Sequence, residues 1–131
     1  MPRFPRLVVA VVAPALLLLT SACVNQRASD SSTCAQPSVS LSTTLPASGP
    51  LQPEYLVVCQ DQQVTITVTS HRDGALHLHG YDDQNAEVEV SNGADATLKI
   101  VASHVGQFVF EVHPADGSAE VQVGTLTVNV R

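Results

Sequence analysis

The chain has 131 residues, 44% of them hydrophobic, with no tryptophan and a formal net charge of −6. Twelve acidic residues against six basic ones argue against a basic patch for nucleic acid or anionic lipid head groups. The length suits one domain, and with two Tyr and three Phe its core must be built mainly from Val, Leu and Ile.

The N-terminus reads MPRFPRLVVAVVAPALLLLTSAC. Arg3 and Arg6 form a short positive region, and the run from Leu7 to Leu19 is apolar apart from Pro14. A membrane-spanning helix needs about 20 such residues; this run is shorter and has the length of a signal-peptide core. Thr20, Ser21 and Ala22 then precede Cys23, which resembles a bacterial lipobox, with Thr20 standing where that pattern prefers Leu. The resemblance implies a lipoprotein signal peptide over 1–22. It implies a lipid (palmitate) on Cys23 and anchoring to the outer face of the bacterial cell membrane. Removal of 1–22 leaves four basic residues against twelve acidic ones, a net charge near −8. With Cys23 lipidated, Cys34 and Cys59 remain as a pair, and an oxidising compartment allows a disulfide between them.

Residues 24–33, VNQRASDSST, are polar and without periodicity, so that 23–33 reads as a flexible tether and 34–131 as the domain. Short runs of period two follow, separated by turn residues. VSLS at 39–42 is the first, and LPASGPLQPE at 45–54 is a Pro/Gly loop. YLVVC at 55–59 and VTITVTS at 64–70 come next, the latter with Val64, Ile66 and Val68 on one face. ALHLHGY at 75–81, AEVEVS at 86–91, ATLKIVA at 96–102, QFVFEV at 107–112 and VQVGTLTVNV at 121–130 complete the series. In the last, the apolar parity changes at Gly124–Thr125, which requires either a bulge or two adjacent strands. Seven or eight strands at about ten-residue spacing, with no helical periodicity after residue 24, predict an all-β fold: an antiparallel Greek-key β-sandwich.

Strand alternation in ALHLHGYD places Leu76 and Leu78 on one face and His77 and His79 on the other. Residues at i and i+2 of a strand lie about 7 Å apart, so two imidazoles can converge on one ion. In QFVFEVHPADG, Phe108, Phe110 and Val112 share a face, while Glu111 and His113 share the other. If the two strands are neighbours, His77, His79, Glu111 and His113 meet. The alternative is a solvated outer sheet face with no ligand. His71 and His104 fall in turns and read as surface residues.

The His-x-His strand resembles that of copper–zinc superoxide dismutases, but only His104 and His113 follow it, too few for that family's ligand set. From about Val64 onward the chain resembles small exported cupredoxin-like domains, through VTITVTS, LHLHGYD, AEVEV, NGADATLKI, GQFVFEVH and GTLTVNV in that order. The resemblance implies a cupredoxin-like fold in which His77 or His79 matches the upstream copper histidine and His113 the loop histidine. The loop EVHPADGSAEVQVG holds no Cys and no Met, so a blue-copper electron-transfer centre, which needs the thiolate, is not expected.

The expected function is a lipid-anchored binding module holding Cu(II) or Zn(II) through His77, His79, His113 and, as a fourth donor, Glu111. The alternative is a metal-free structural or interaction domain with an envelope protein partner. No Gly-x-Ser-x-Gly elbow or paired-carboxylate motif is present, and no enzyme is expected.

Overall fold

The computed structural model describes residues 34–131. The expected signal peptide over 1–22, Cys23 and the rest of the expected tether over 23–33 lie outside the described residues. Eight strands follow in order: β1 (Ser38–Leu45), β2 (Tyr55–Cys59), β3 (Gln63–Ser70), β4 (Gly74–Leu78), β5 (Glu87–Val90), β6 (Asp95–Val101), β7 (Gly106–Pro114) and β8 (Val121–Asn129). A single 3₁₀ turn, Asp82–Gln84, lies between β4 and β5.

The strands form two sheets, of order β1-β3-β6 and β2-β8-β7-β4-β5. The alternation read from the sequence points the apolar residues into the space between them. Val64, Ile66 and Val68 face inward from the smaller sheet, and Leu76, Leu78, Phe110, Val112, Leu126 and Val128 from the larger; each is at most 1% exposed. Burying one such side chain contributes about 1.5–3 kcal/mol, and among the described residues the core is mostly aliphatic, with Tyr81 and Phe110 its fully buried aromatics.

Two pairings differ from the all-antiparallel expectation. β1 runs parallel to β3, and β2 parallel to β8. The cause is the route of the chain. The Pro/Gly loop carries it from β1 in one sheet to β2 in the other, and the turn after Cys59 returns it to β3 in the first. Two reversals leave β1 and β3 pointing the same way. The remaining pairings are antiparallel, and β7 returns to lie between β4 and β8.

The parity change in the last strand is a bulge. Phe110 pairs with Gly124 and Glu111 with Gln122, so Val123 is the extra residue of one continuous β8. Val123 is 1% exposed while Val121 is 44% exposed, which is why the apolar pattern breaks there. Gly124 beside it has a steric reason: a Cβ would meet the Glu54 carbonyl oxygen at 2.7 Å and Leu51 Cδ1 at 3.0 Å. The Pro/Gly loop thus packs into the core through Leu51, 1% exposed, whose N–H donates to the Val123 carbonyl at 2.7 Å.

Cys34 is joined to Cys59, with Cα atoms 5.3 Å apart. Beside the bridge, Gln62 is fully buried. Its Oε1 accepts the Cys59 N–H at 2.8 Å and its Nε2 donates to the Gln36 carbonyl at 2.9 Å. One side chain therefore satisfies two backbone groups where the domain begins and β2 ends.

Candidate metal centre on the outer sheet face

β4 and β7 are neighbours in the larger sheet, with Ala75 opposite His113 and His77 opposite Glu111. Because Leu76, Leu78, Phe110 and Val112 point into the core, His77, Glu111 and His113 must emerge on the outer face. His79 follows the last residue of β4, yet its N–H still donates to the Val109 carbonyl at 3.0 Å, so it continues the same face. The ring centroids of His77 lie 4.5 Å from those of His79 and 5.9 Å from those of His113. All four residues singled out in the sequence are therefore brought together. His71 and His104 are exposed, and the ring contacts within the group involve His77, His79 and His113.

The remainder of HLHGYD shapes the rim. Gly80 turns the chain at φ 86°, and a Cβ there would meet Phe108 Cδ1 at 2.7 Å. Tyr81 then swings fully into the core. Its ring packs edge-on against Phe108 at 4.8 Å and its hydroxyl donates to the His104 carbonyl at 3.3 Å. Burial pushes this phenol above its ordinary pKa. Anchored by Tyr81, the 3₁₀ turn directs Asp82 back over β4, where its carboxylate accepts from His77 Nε2 at 2.9 Å. That hydrogen bond holds the Asp82 carboxyl below the usual carboxylate range.

The other two imidazoles also have acidic partners. His79 Nε2 is paired with Glu111. His113 Nδ1 is 2.8 Å from Glu120, on the segment leading into β8. Glu87 on β5 lies directly opposite His77. Four carboxylates around three imidazoles make this face attractive to cations.

Among the described residues, donor atoms of His77, Glu87 and His113 all lie within 4.8 Å of one another. Metal–ligand bonds of about 2.0–2.2 Å separate the donors of a tetrahedral shell by about 3.4 Å, so modest side-chain rotation closes the group around an ion. His113 Nε2 is buried and has no hydrogen-bond partner. A buried nitrogen without a partner costs free energy, and a ligand bond removes that cost. The residues present therefore fit a divalent metal. The fit differs from the sequence expectation in its carboxylate, because the oxygen donor in the close group is Glu87, while Glu111 is engaged by His79.

Glu87, Asp82 and Glu120 were not singled out in the sequence. Glu87 carried one usable signal, the outward parity of AEVEV, which it shares with Glu89. Choosing between them requires the register of β5 on β4.

No family model matches the chain, and no curated protein matches it. Solved structures do. Auracyanin A, described as a "blue" copper protein from the green thermophilic photosynthetic bacterium Chloroflexus aurantiacus, is 14% identical with a TM-score of 0.53, over 70% of this chain and 99% of its own. A copper binding protein solved by NMR in the apo form is 13% identical with a TM-score of 0.53, over 72% and 90%. The blue copper oxidase from Nitrosomonas europaea is 14% identical with a TM-score of 0.54, over 72% of this chain. The chain spans 39% of the length of that oxidase and of the multicopper oxidase mgLAC. At such identities the likeness is one of architecture, and it agrees with the strand order: this chain has the cupredoxin-like β-sandwich fold.

Proposed function

We propose that the protein is a lipid-anchored, extracytoplasmic binding module that holds one Cu(II) or Zn(II) ion on the outer face of its five-stranded sheet. His77, His113 and Glu87 are the ligands, with His79 beside them. The observation that carries this reading is the close approach of one donor atom each from His77, Glu87 and His113, and the buried His113 Nε2 without a hydrogen-bond partner supports it. The four structural relatives named above are all described as copper proteins or copper oxidases, which supports a metal on this fold. Electron transfer through a blue-copper centre is not part of the proposal. That chemistry needs a thiolate, and Cys34 and Cys59 are bonded to each other. Nor is catalysis; the role is binding.

Calorimetric titration of the metal-free full chain with Zn(II) and Cu(II) tests the reading. One ion per chain is expected, with Cu(II) the tighter of the two. Cu(II) loading should leave the protein pale, without the intense band of a thiolate centre. Affinity no better than that of an isolated surface histidine would refute the proposal.

A second reading, a metal-free interaction domain for an envelope protein, is favoured by one observation: each of the three imidazoles already pairs with a carboxylate. The same titration separates the two. The anchor has its own test. Cys23→Ser should release the protein from membranes or leave its leader uncleaved, and unchanged membrane partition with normal processing would remove the lipid from the proposal.

A further inference from the structure

We infer that Asp82, Glu111 and Glu120 are positioning residues that fix the tautomers of His77, His79 and His113, so that each ring reserves a defined nitrogen for a metal ion. The inference rests on the metal-binding reading and deepens it.

An ionised carboxylate can only accept a hydrogen bond, so the imidazole nitrogen facing it must carry the proton. In a neutral ring the other nitrogen is then a lone-pair donor to the metal. His113 faces Glu120 through Nδ1 at 2.8 Å. Its lone pair therefore sits on Nε2, the nitrogen that is buried and without a partner. Two independent features thus agree: the nitrogen that the carboxylate leaves unprotonated is the one the fold leaves unsatisfied. His77 faces Asp82 through Nε2 at 2.9 Å, and His79 faces Glu111 through Nε2. Both of these rings reserve Nδ1. The centre is consequently mixed, taking Nε2 from β7 and Nδ1 from β4.

The three carboxylates come from three elements: the 3₁₀ turn, β7 itself and the segment before β8. Glu111 was expected as a fourth ligand; in this assignment it orients His79 instead and leaves the oxygen-ligand position to Glu87. Ligating histidines commonly donate their second nitrogen to a carboxylate, which fixes the ring and raises its basicity, and loss of that partner costs about 10–100-fold in metal affinity.

The test uses nitrogen-detected NMR of the histidine rings in the metal-free full chain at pH 8, with Zn(II) titration of the same samples. The expected tautomers are Nδ1–H for His113 and Nε2–H for His77 and His79. Glu120→Ala should erase the Nδ1–H preference of His113 and weaken Zn(II) binding about 10–100-fold. Glu120→Gln, whose amide oxygen still accepts a hydrogen bond, should keep the tautomer and recover much of the affinity. An Nε2–H tautomer for His113 in the unmodified protein would overturn the inference, as would a Glu120→Ala protein with unchanged tautomer and unchanged affinity. The assigned tautomers in a protein that binds no Zn(II) would uphold the carboxylates as partners of the rings and overturn the metal-binding reading instead.

Discussion

If the proposed centre binds as assigned, alanine at both His77 and His113 is expected to abolish Zn(II) and Cu(II) binding while the protein keeps its fold. These residues supply both imidazoles of the close donor group, and Glu87 alone does not hold a transition metal against water. The loss should exceed the about 10–100-fold that removing an orienting partner costs. Stability should change little. Both rings stand on the outer face, and the carboxylates they pair with, Asp82 and Glu120, are 70% and 56% exposed, so the lost ion pairs are screened by solvent. Calorimetry with the two metals and a thermal melt of the metal-free protein measure both halves of this result. His79→Ala should weaken binding less than His113→Ala, because His79 lies outside the three-donor group. His71→Ala and His104→Ala should leave affinity unchanged. A double variant that binds as tightly as the parent would remove the site from this face.

Loss of the disulfide should produce the largest change in stability. Cys34 and Cys59 are 25 positions apart, and in the chain-entropy model a closed loop of that size contributes about 3.5 kcal/mol. The bridge also fastens the start of the domain to β2, an edge strand of the larger sheet. Without it, the contact of Gln62 with the Gln36 carbonyl must be held by a chain end free to fray. Substitution of both cysteines by alanine avoids leaving a buried hydroxyl at Cys59, which is 1% exposed. A fall in Tm of about 15–25 °C is expected for a domain of this length. Denaturation of the parent with and without reductant, compared with the double variant, measures it. Equal melting temperatures in all three would mean that the bridge contributes nothing.

The strands were legible because this core is aliphatic and each strand is buried on one face only. Val64-Ile66-Val68 and Leu76-Leu78 alternate without exception, and period two admits one reading. The gathering of His77, His79, Glu111 and His113 was legible on the condition that β4 and β7 are neighbours, which alternation does not state. Three things were not legible. The parallel pairings of β1 with β3 and of β2 with β8 depend on which sheet each strand enters, and a Pro/Gly loop such as 45–54 serves a hairpin or a crossover equally well. Glu87 depends on a register set across eight residues of turn, where a shift of two positions would present Glu89 instead. Asp82 opens a three-residue 3₁₀ turn and Glu120 lies in an irregular segment, neither of which shows a periodicity in the sequence, and their directions come from anchors elsewhere. For Asp82 that anchor is Tyr81, whose burial gives no local signal beyond an aromatic residue next to glycine.

The pairing of β2 with β8 has a bearing on how the chain acquires its shape. Tyr55 finds its partner in Thr125, seventy positions later, and four other residues of β2 wait on the same strand. Contacts between distant positions must close large loops before they repay the lost entropy, and domains dominated by them fold in about milliseconds to seconds. Delivered from its N-terminus, the chain cannot complete the larger sheet until β8 has arrived. Until then Leu56 and Val58 have no strand beside them, and the interval before β8 arrives is when the protein is most exposed to aggregation and proteolysis.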